Sequence, residues 1–405
     1  MIFAGHDVGS GGLITTIMEM CFADNNIAAN IDLTAIGEKD SIKLLFSENP
    51  GIIIQSKDQS IEKILDDKGI DYYKIGSVTT EQKLLLKNHS DSYEINIEEY
   101  RDYWFKTSML LDKKQTANNL SEIRYINYKK QSLNFKFPIG FSGIKPITLE
   151  MKNRPKAAVI REKGSNSERE LANALFLAGF QVKDIHMTDL ISGRENLEDV
   201  QFIGVVGGFS NSDVLGSAKG WAGAFLYNEK AKKSINNFIS RKDTLSIGLC
   251  NGCQLFMELE VVNPDHDIHG KMTFNDSNKH ESGFTSVDIQ KNNSVMMSSL
   301  ENCNLGVWIS HGEGKFDLPY SEDKYNIIAK YSYEGYPSNP NGSDFNIAMM
   351  SSSDGRHLVT MPHIERSIFQ WNWAYYVRGR NDEVSPWIQA FINARDWVIS
   401  YNSKK

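Results

Sequence analysis

The sequence predicts an α/β protein whose larger, C-terminal part is a doubly wound, mostly parallel sheet. From residue 156 onward, short apolar segments alternate with longer segments of helical periodicity, and this alternation is typical of βαβ units. The segments are apolar throughout rather than alternately polar, as strands covered by helices on both faces are. The residues before 131 lack this regularity and predict a partial α+β domain.

In the C-terminal part, the predicted helices have recognisable ends. Ser167, with Glu170 three residues later, forms a capping box that begins one helix, and Gly179 ends it. A second helix is predicted at residues 220–239, and a third begins at Asn251. The predicted strands cover residues 157–160, 181–186, 202–206, 245–249 and 358–359.

The predicted domains are residues 1–130 and 153–405, with a linker at 131–152 that proline and glycine interrupt. The first domain has predicted helices at 11–22, 60–68 and 97–113 and predicted strands at 51–55 and 71–75.

Two further features of the first domain are the apolar face of one predicted helix and the start of the chain. The helix at 97–113 places Tyr100, Trp104 and Leu111 along one face. The chain opens almost inside a glycine-rich turn with no strand before it, which we expect of a piece of a longer polypeptide.

The composition narrows the class of protein. A hydrophobic content of 40% in 405 residues, with 23% charged residues, is ordinary for a globular protein. The net charge of −7 argues against nucleic acid as a partner. Four cysteines are too few for a disulfide scaffold, and neither a secretory signal nor a membrane span is evident. We therefore expect a cytoplasmic enzyme.

Cys250 follows a predicted buried strand and is flanked two residues away by Gly248 and Gly252. This is the cysteine form of the nucleophile elbow, a tight turn that lifts a reactive side chain out of the sheet. The helix that follows directs its N-terminus at the sulfur, where its dipole favours thiolate and its free N–H groups can bind an oxyanion. The paired glycines 207–208 also follow a strand, so they could border the same crevice.

A cysteine nucleophile needs a base, and the base needs a group that orients it. His363 and Glu365 follow the strand predicted at 358–359. In an extended segment, residues two apart point to the same side, so Glu365 could hold one ring nitrogen while the other faces Cys250. Without the elbow, the same pair is typical of a solvated loop.

Two other interpretations of the cysteines are a thiol–disulfide motif and a zinc site. Cys250 and Cys253 have the CxxC spacing of a thiol–disulfide redox motif, but no tryptophan or proline flanks them. A zinc site would need a second pair of ligands with comparable spacing, and none is evident.

Two further clusters are candidates for a site. Residues 264–269 contain His266 and His269 with nearby aspartates, and an exposed loop explains them better than a metal. His280 and Glu281 could border the active site or belong to a surface hairpin.

Five motifs closely resemble the class I, triad-type glutamine amidotransferases, and specifically the glutaminase domain of the phosphoribosylformylglycinamidine synthase family. They occur in that family's order: REKGSNS at 161–167, GGFS at 207–210, GLCNGCQ at 248–254, SHGEG at 310–314 and MPHIER at 361–366. Upstream, GHDV at 5–8, GGL at 11–13 and residues 104–115 are similar to the synthetase part of the long, single-chain form. The resemblance implies a flavodoxin-like amidotransferase domain after a remnant of an AIR synthase-like domain.

The resemblance also implies roles for individual residues. Cys250, His363 and Glu365 would form a catalytic triad that hydrolyses glutamine. The oxyanion hole would use the N–H groups of Gly208 or Phe209 and of Asn251. The remaining implied glutamine-binding residues are Gln254, Ser310, His311 and Gly312.

In the complete enzyme of this family, the ammonia would serve the ATP-dependent conversion of formylglycinamide ribonucleotide to its amidine in purine biosynthesis. The implied partner is therefore the rest of the synthetase polypeptide, with ATP and Mg there and no cofactor or metal on the glutaminase domain. The upstream signature departs from the family because Ser10 stands where an aspartate precedes the paired glycines. His6 and Asp7 are the candidate ATP or magnesium ligands, with a structural role in the turn as the alternative. A further hypothesis is that the chain is a catalytically incompetent fragment.

Overall fold

The chain forms two compact units, Met1–Lys114 and Gln115–Lys405. The computed structural model describes residues 2–24, 26–57, 60–130, 133–148, 153–333 and 335–403. Residues 115–130, which the sequence placed in the first domain, fold with the larger unit. Each unit has its own hydrophobic core.

The smaller unit contains two sheets and four α-helices among its described residues. The elements are β1 (Ile2–Asp7), α1 (Gly12–Phe22), β2 (Ala28–Asp32), α2 (Ser41–Leu45), β3 (Ile52–Ser56), α3 (Ser60–Asp67), β4 (Gly76–Thr79), β5 (Lys83–Asn88), β6 (Asp91–Asn96) and α4 (Ile97–Asp112). One sheet pairs β1 with β3, and the other has the order β4-β2-β5-β6. Helix α1 and the four-stranded sheet contribute most of a core that includes Ile14, Ile17, Leu84 and Leu86.

Two strand predictions in this unit were wrong. A strand does precede the glycine-rich turn, because β1 pairs antiparallel with β3 and so satisfies its backbone groups. The strand predicted at 71–75 lies instead at Gly76–Thr79, where it pairs with β2.

Helix α4 is confirmed, but its predicted apolar face is not the buried one. Tyr100, Trp104 and Leu111 are 45%, 47% and 69% exposed. The helix buries Ile97 and Arg101 instead, and the Arg101 guanidinium donates to the carbonyl oxygen of Asp24. Spacing identified a helix here without identifying which face packs, because the buried face includes a charged residue.

The larger unit is built on a nine-stranded sheet. Its strands are β7 (Lys156–Arg161), β9 (Gln181–His186), β10 (Phe202–Val205), β12 (Leu245–Leu249), β14 (Glu281–Ile289), β15 (Asn304–His311), β17 (Asn326–Tyr331), β18 (Ile347–Ser351) and β19 (His357–Thr360). Their order across the sheet is β15-β14-β17-β18-β19-β12-β10-β7-β9. Short strands outside the sheet are β8 (Ser165–Asn166), β11 (Gly207–Gly208), β13 (Lys271–Thr273) and β16 (Lys315–Asp317). The helices are α5 (Leu120–Asn127), α6 (Glu168–Ala178), α7 (Met187–Ser192), α8 (Lys219–Tyr227), α9 (Glu229–Ser240), α10 (Asn251–Glu258) and α11 (Ile388–Asn402).

The predicted α/β class is confirmed, and the sheet is mixed. Strands β9, β7, β10, β12 and β19 are mutually parallel, whereas β18, β17, β14 and β15 each pair antiparallel with their neighbours. The antiparallel half is the part that the sequence did not predict.

Two helix details also differ from prediction. The helix predicted at 220–239 is two helices, because Asn228 is extended and its side chain caps α9 by accepting from the Ala231 N–H. Ser167 precedes α6 but forms no capping box, since its φ is 70°. Its hydroxyl accepts instead from the Gly207 N–H at 3.4 Å.

Residues 133–148 of the predicted linker belong to the larger unit and pack against its core. The backbones of Lys136 and Asn304 exchange two hydrogen bonds of 2.9 and 3.0 Å. Phe135, Phe137 and Phe141 are partly buried against the core. Residues 131–132 and 149–152 of the predicted linker lie outside the described residues.

No helix in the described part of the chain has the length and apolar character needed to cross a bilayer.

Candidate active site

The turn at Cys250 has the geometry of a nucleophile elbow. Cys250 has φ 50° and ψ −104°, a strained conformation for a residue with a side chain. A Cβ on Gly248 would lie 2.5 Å from the Gly252 carbonyl oxygen, and one on Gly252 would lie 2.2 Å from the Val205 carbonyl oxygen. Both flanking glycines are therefore required by close backbone approach, as the sequence predicted.

His363 and Glu365 lie beside this elbow. The His363 Nδ1 is 2.7 Å from Glu365 Oε1, and both residues are buried. A Cβ on Gly207 would lie 2.7 Å from His363 Cε1 and 3.2 Å from Cys250 Cβ. Gly207 thus leaves the space in which the imidazole and the sulfur-bearing residue approach each other.

The local backbone at His363 is not the extended segment that the sequence predicted. His363 precedes a 3₁₀ turn at Ile364–Ser367, and its N–H donates to the Trp308 carbonyl oxygen at 2.8 Å. The pairing of His363 with Glu365 holds because the turn brings the carboxylate back to the ring. The prediction was right about the contact and wrong about the backbone that makes it.

The charges in this group stabilise a protonated imidazole. Burial alone would lower the pKa of His363, but the Glu365 carboxylate and Cys250 outweigh it and raise that pKa to about 10. Burial would raise the pKa of Glu365, and the opposing interactions with His363 and Arg366 lower it. Glu365 is therefore a carboxylate that orients His363 and stabilises its charge.

Cys253 is the second cysteine of the CxxC sequence. Cys253 is fully buried on α10, and burial raises the pKa of its thiol well above the ordinary value. Thiol–disulfide exchange needs an accessible thiolate. This environment does not favour a redox role for Cys253.

The predicted oxyanion donors differ in their availability. The Phe209 N–H donates to the Gly164 carbonyl oxygen at 3.0 Å, so it is already engaged. Asn251 opens α10, whose first intrahelical bond runs from the Gln254 N–H to the Cys250 carbonyl oxygen. N–H groups in such a first turn have no helical acceptor, which leaves Asn251 suited to bind an oxyanion.

Ser310, at the start of the SHGEG motif, lies against the sulfur. The Cys250 thiol donates to the Ser310 carbonyl oxygen at 3.4 Å. The Gln254 side chain is held in place at both ends, because it accepts from Asn251 Nδ2 and donates to the Glu313 carbonyl oxygen at 2.6 Å. Gln254 therefore also fixes the position of the turn after Ser310.

The orientation of His311 is set by Asn275. The Asn275 Nδ2 donates to two carbonyl oxygens, of Lys279 and His311, so its Oδ1 faces the Gly314 N–H and His311 Nδ1. His311 Nδ1 must then carry the proton. Burial, followed by the nearby charges of His363 and His280, lowers the pKa of His311 to about 3, so this imidazole is neutral beside a charged one. Gly312 contributes its carbonyl oxygen, which accepts from the Asn275 N–H.

Residues 154–398 match the family model of the CobB/CobQ-like glutamine amidotransferase domain. The chain belongs to this glutamine amidotransferase family. Residues 1–87 match the C-terminal domain of AIR synthase related proteins, so residues 88–153 lie between the two matched ranges.

Curated relatives extend beyond this chain. It is 36% identical to a probable phosphoribosylformylglycinamidine synthase of Caenorhabditis elegans over 98% of this chain and 33% of that protein. The identity to the phosphoribosylformylglycinamidine synthase of Homo sapiens is 34%, over 98% of this chain and 32% of that protein. The chain thus spans about a third of the length of these relatives. A solved structure of PurLQS from Thermotoga maritima aligns with 62% of this chain and 100% of that chain, at 23% identity and a TM-score of 0.48.

Sequence reasoning assigned no role to a pair of carboxylates beside the amidotransferase elbow. Asp213 accepts from the Ala218 N–H and from Asn251 Nδ2, and Glu313 accepts from the Ser217 N–H at 3.2 Å. Burial and the charge of Glu313 raise the pKa of Asp213. Glu313 lies inside the SHGEG motif and so had a signal, whereas Asp213 lies in an irregular loop without one.

The other candidates are distributed as follows. His280 borders the site, because its Nε2 is 3.0 Å from Ser310 Oγ. His266 packs between two tyrosine rings and His269 lies 3.3 Å from Glu260, and no metal-binding group of three or more ligands occurs among the described residues. In the smaller unit, His6 Nε2 pairs with Glu19 at 3.1 Å, whereas a role of His6 or Asp7 in nucleotide binding stays a prediction.

A cavity of about 650 Å³ lies on the Glu365 side of the imidazole. Its lining includes Ser310, His363 and Glu365 but not Cys250. The cavity therefore lies beside the elbow and does not enclose the Cys250 side chain.

Proposed function

We propose that this chain is the C-terminal part of a phosphoribosylformylglycinamidine synthase and hydrolyses glutamine to glutamate and ammonia at Cys250. The observation that carries the proposal is the grouping of a strained cysteine, a buried histidine and a buried carboxylate around Gly207. The names of the relatives and the two matched families support the larger assignment.

In the proposed reaction, Cys250 gives its thiol proton to His363, and the resulting thiolate attacks the carbon of the glutamine side-chain amide. The protonated His363 gives its proton to the departing nitrogen, which leaves as ammonia, and a thioester remains on the sulfur. Water then attacks the thioester while His363 accepts a proton, and glutamate and the free cysteine result. Glu365 stabilises the charged imidazole in the first step.

The N–H groups at Asn251 and Gly208 are the proposed donors to the tetrahedral oxyanion. Asn251 lies at the start of a helix whose dipole favours negative charge. Gly208 follows Gly207 in β11 and has φ 111°, a conformation that only glycine adopts readily. Gln254, Ser310, His311 and Gly312 would form the wall that holds the glutamine.

In a complete enzyme, the proposed ammonia acceptor is formylglycinamide ribonucleotide, activated by ATP with Mg on the remaining synthetase polypeptide. The proposed glutaminase reaction itself uses no cofactor or metal. A cytoplasmic location fits an enzyme of purine synthesis, and glutamine and the synthetase polypeptide are the proposed partners.

Labelling of the chain with a glutamine-derived chloroketone tests the assignment. We expect one modified thiol, Cys250, and protection by excess glutamine. Cys250→Ala should abolish the label, whereas Cys253→Ala, three residues along the chain in α10, is the matched control and should keep it. A label on Cys253 would contradict the assignment.

Steady release of glutamate by the unmodified chain tests competence separately. We expect slow turnover, because the proposed role of the site is to supply ammonia to a synthetase. Labelling without any turnover would identify a fragment that binds glutamine but cannot complete the reaction.

A further inference from the structure

A short turn carries His280 to the active site. Residues 275–281 connect Asn275, which orients His311, with Glu281, the first residue of β14. His280 lies in this turn and bonds to Ser310 Oγ. Glu281 is the register partner of His311 across the β14–β15 pair. The position of this turn therefore affects His311 through Asn275 and Ser310 through His280.

The turn is held from outside the matched amidotransferase range. The Ala117 N–H donates to the Ser277 carbonyl oxygen at 2.9 Å, and Asn118 Nδ2 donates to the Asp276 carbonyl oxygen at 2.8 Å. Residues 117–127 lie between the two family matches. This segment nevertheless contacts the backbone of the turn directly.

The segment also forms an ion pair between the partly exposed Arg124 and a buried carboxylate. Arg124 on α5 donates to Glu281 Oε2 at 2.9 Å, and the Glu281 side chain is only 6% exposed. Tyr336 donates its hydroxyl to Glu281 Oε1 at 2.9 Å, and the Arg124 guanidinium lies 4.8 Å from the centre of the Tyr336 ring. Within the described residues, no other cation pairs with Glu281. Removing the Arg124 charge would leave the buried Glu281 carboxylate with the Tyr336 hydroxyl as its remaining side-chain partner among the described residues, which is unfavourable.

We propose that Arg124 is a positioning residue of the glutamine site, acting through Glu281 on the turn 275–281. The proposal rests on the proposed glutaminase function and extends that site to residues 115–130. Loss of the ion pair displaces Glu281 toward solvent, and with it His280 and the strand that faces Ser310. The Ser310 carbonyl oxygen that contacts the Cys250 thiol then shifts from the place where glutamine must bind.

The test compares Arg124→Met with Arg124→Lys, which keeps the charge, and with the double variant Arg124→Met/Glu281→Gln, which removes the buried charge as well. The matched control is Arg356→Met. Arg356 belongs to a buried network, bonding Asp354 and the Thr244 carbonyl oxygen, but it lies at the amino ends of β12 and β19, at the opposite end of these strands from Cys250. Each protein is assayed below its unfolding temperature for the rate of Cys250 labelling by the chloroketone and by iodoacetamide, and for kcat and KM.

We expect Arg124→Met to lower the chloroketone rate and kcat/KM by about tenfold to a hundredfold, as misplacement of a site by an ångström does. The change should fall mainly on KM, with iodoacetamide labelling nearly unchanged. Arg124→Lys and the double variant should each recover much of the loss. Arg356→Met should lower the unfolding temperature and leave kcat/KM within about twofold.

Equal chloroketone rates for the wild-type protein and Arg124→Met would overturn the positioning role. So would a parallel loss in Arg356→Met, because both variants would then act through general destabilisation. Absence of chloroketone labelling in the wild-type protein would instead contradict the proposed function itself, and the two failures are therefore distinguishable.

Discussion

The two halves of the nine-stranded sheet contribute different parts of the site. The parallel half supplies Cys250 and His363, each just beyond the carboxyl end of a strand whose residues are all buried. The antiparallel half supplies Ser310 and His311 at the end of β15, whose burial alternates in part. The parallel half thus supplies the proposed chemistry, and the antiparallel half supplies the wall against which the thiol lies.

The largest expected effect comes from the orienting carboxylate of the parallel half. Glu365→Gln keeps the shape of the side chain but removes the charge that stabilises protonated His363, so we expect glutaminase kcat to fall by about a thousandfold. Steady-state glutamate release measures this effect. A fall of less than about tenfold would mean that Glu365 does not support His363.

The same substitution has a consequence for stability at high pH. The pKa of His363 is raised from 6.5 to about 10 in the folded chain, so its protonation stabilises the fold fully below about pH 6.5, and this contribution is lost as the pH rises toward 10. We expect the wild-type unfolding temperature to decline across this window more than that of Glu365→Gln. Parallel declines in thermal scans would show that His363 does not titrate there.

The next effect tests how closely the side chains of Cys250 and His363 approach each other. Gly207→Ala would place a methyl group 2.7 Å from His363 Cε1, so we expect kcat/KM to fall by about a hundredfold with a smaller change in the unfolding temperature. Gly283→Ala is the matched control in the antiparallel half, because a Cβ there meets nothing within 4 Å. Comparable losses of activity in both variants would refute the steric argument.

A smaller effect is expected in the antiparallel half. His280→Ala removes the contact with Ser310 Oγ and leaves the sulfur, imidazole and carboxylate in place. We expect KM for glutamine to rise by about tenfold, with kcat changed less, because the wall binds substrate and does not transfer protons. A fall in kcat at constant KM would instead move His280 into the chemistry.

The difference between the halves also explains what could be predicted from the sequence. Strand β12 and its elbow were predicted because a continuous apolar segment ending in Gly-x-Cys-x-Gly has few other structures available. The contact of His363 with Glu365 was predicted from spacing, whereas the 3₁₀ turn that makes it was not. The antiparallel strands escaped prediction because residues 281–289 and 304–311 mix polar and apolar side chains, so that their pairing depends on long-range partners. Arg124 and Asp213 act through such partners and had no local signal.

The smallest expected effect concerns the break between α8 and α9. Asn228 ends α8 and caps α9, with its Oδ1 accepting from the Ala231 N–H at 3.0 Å. We expect Asn228→Ala to lower the free energy of unfolding by about 1 kcal/mol and to leave glutaminase kcat/KM unchanged, since the side-chain contact that it removes lies within α9. Urea unfolding and glutamate release measure the two quantities. Asn228→Ser should retain most of the stability, because a serine hydroxyl also accepts from the first turn of a helix; a loss as large as that of the alanine variant would show that Asn228 stabilises the break by something other than its cap.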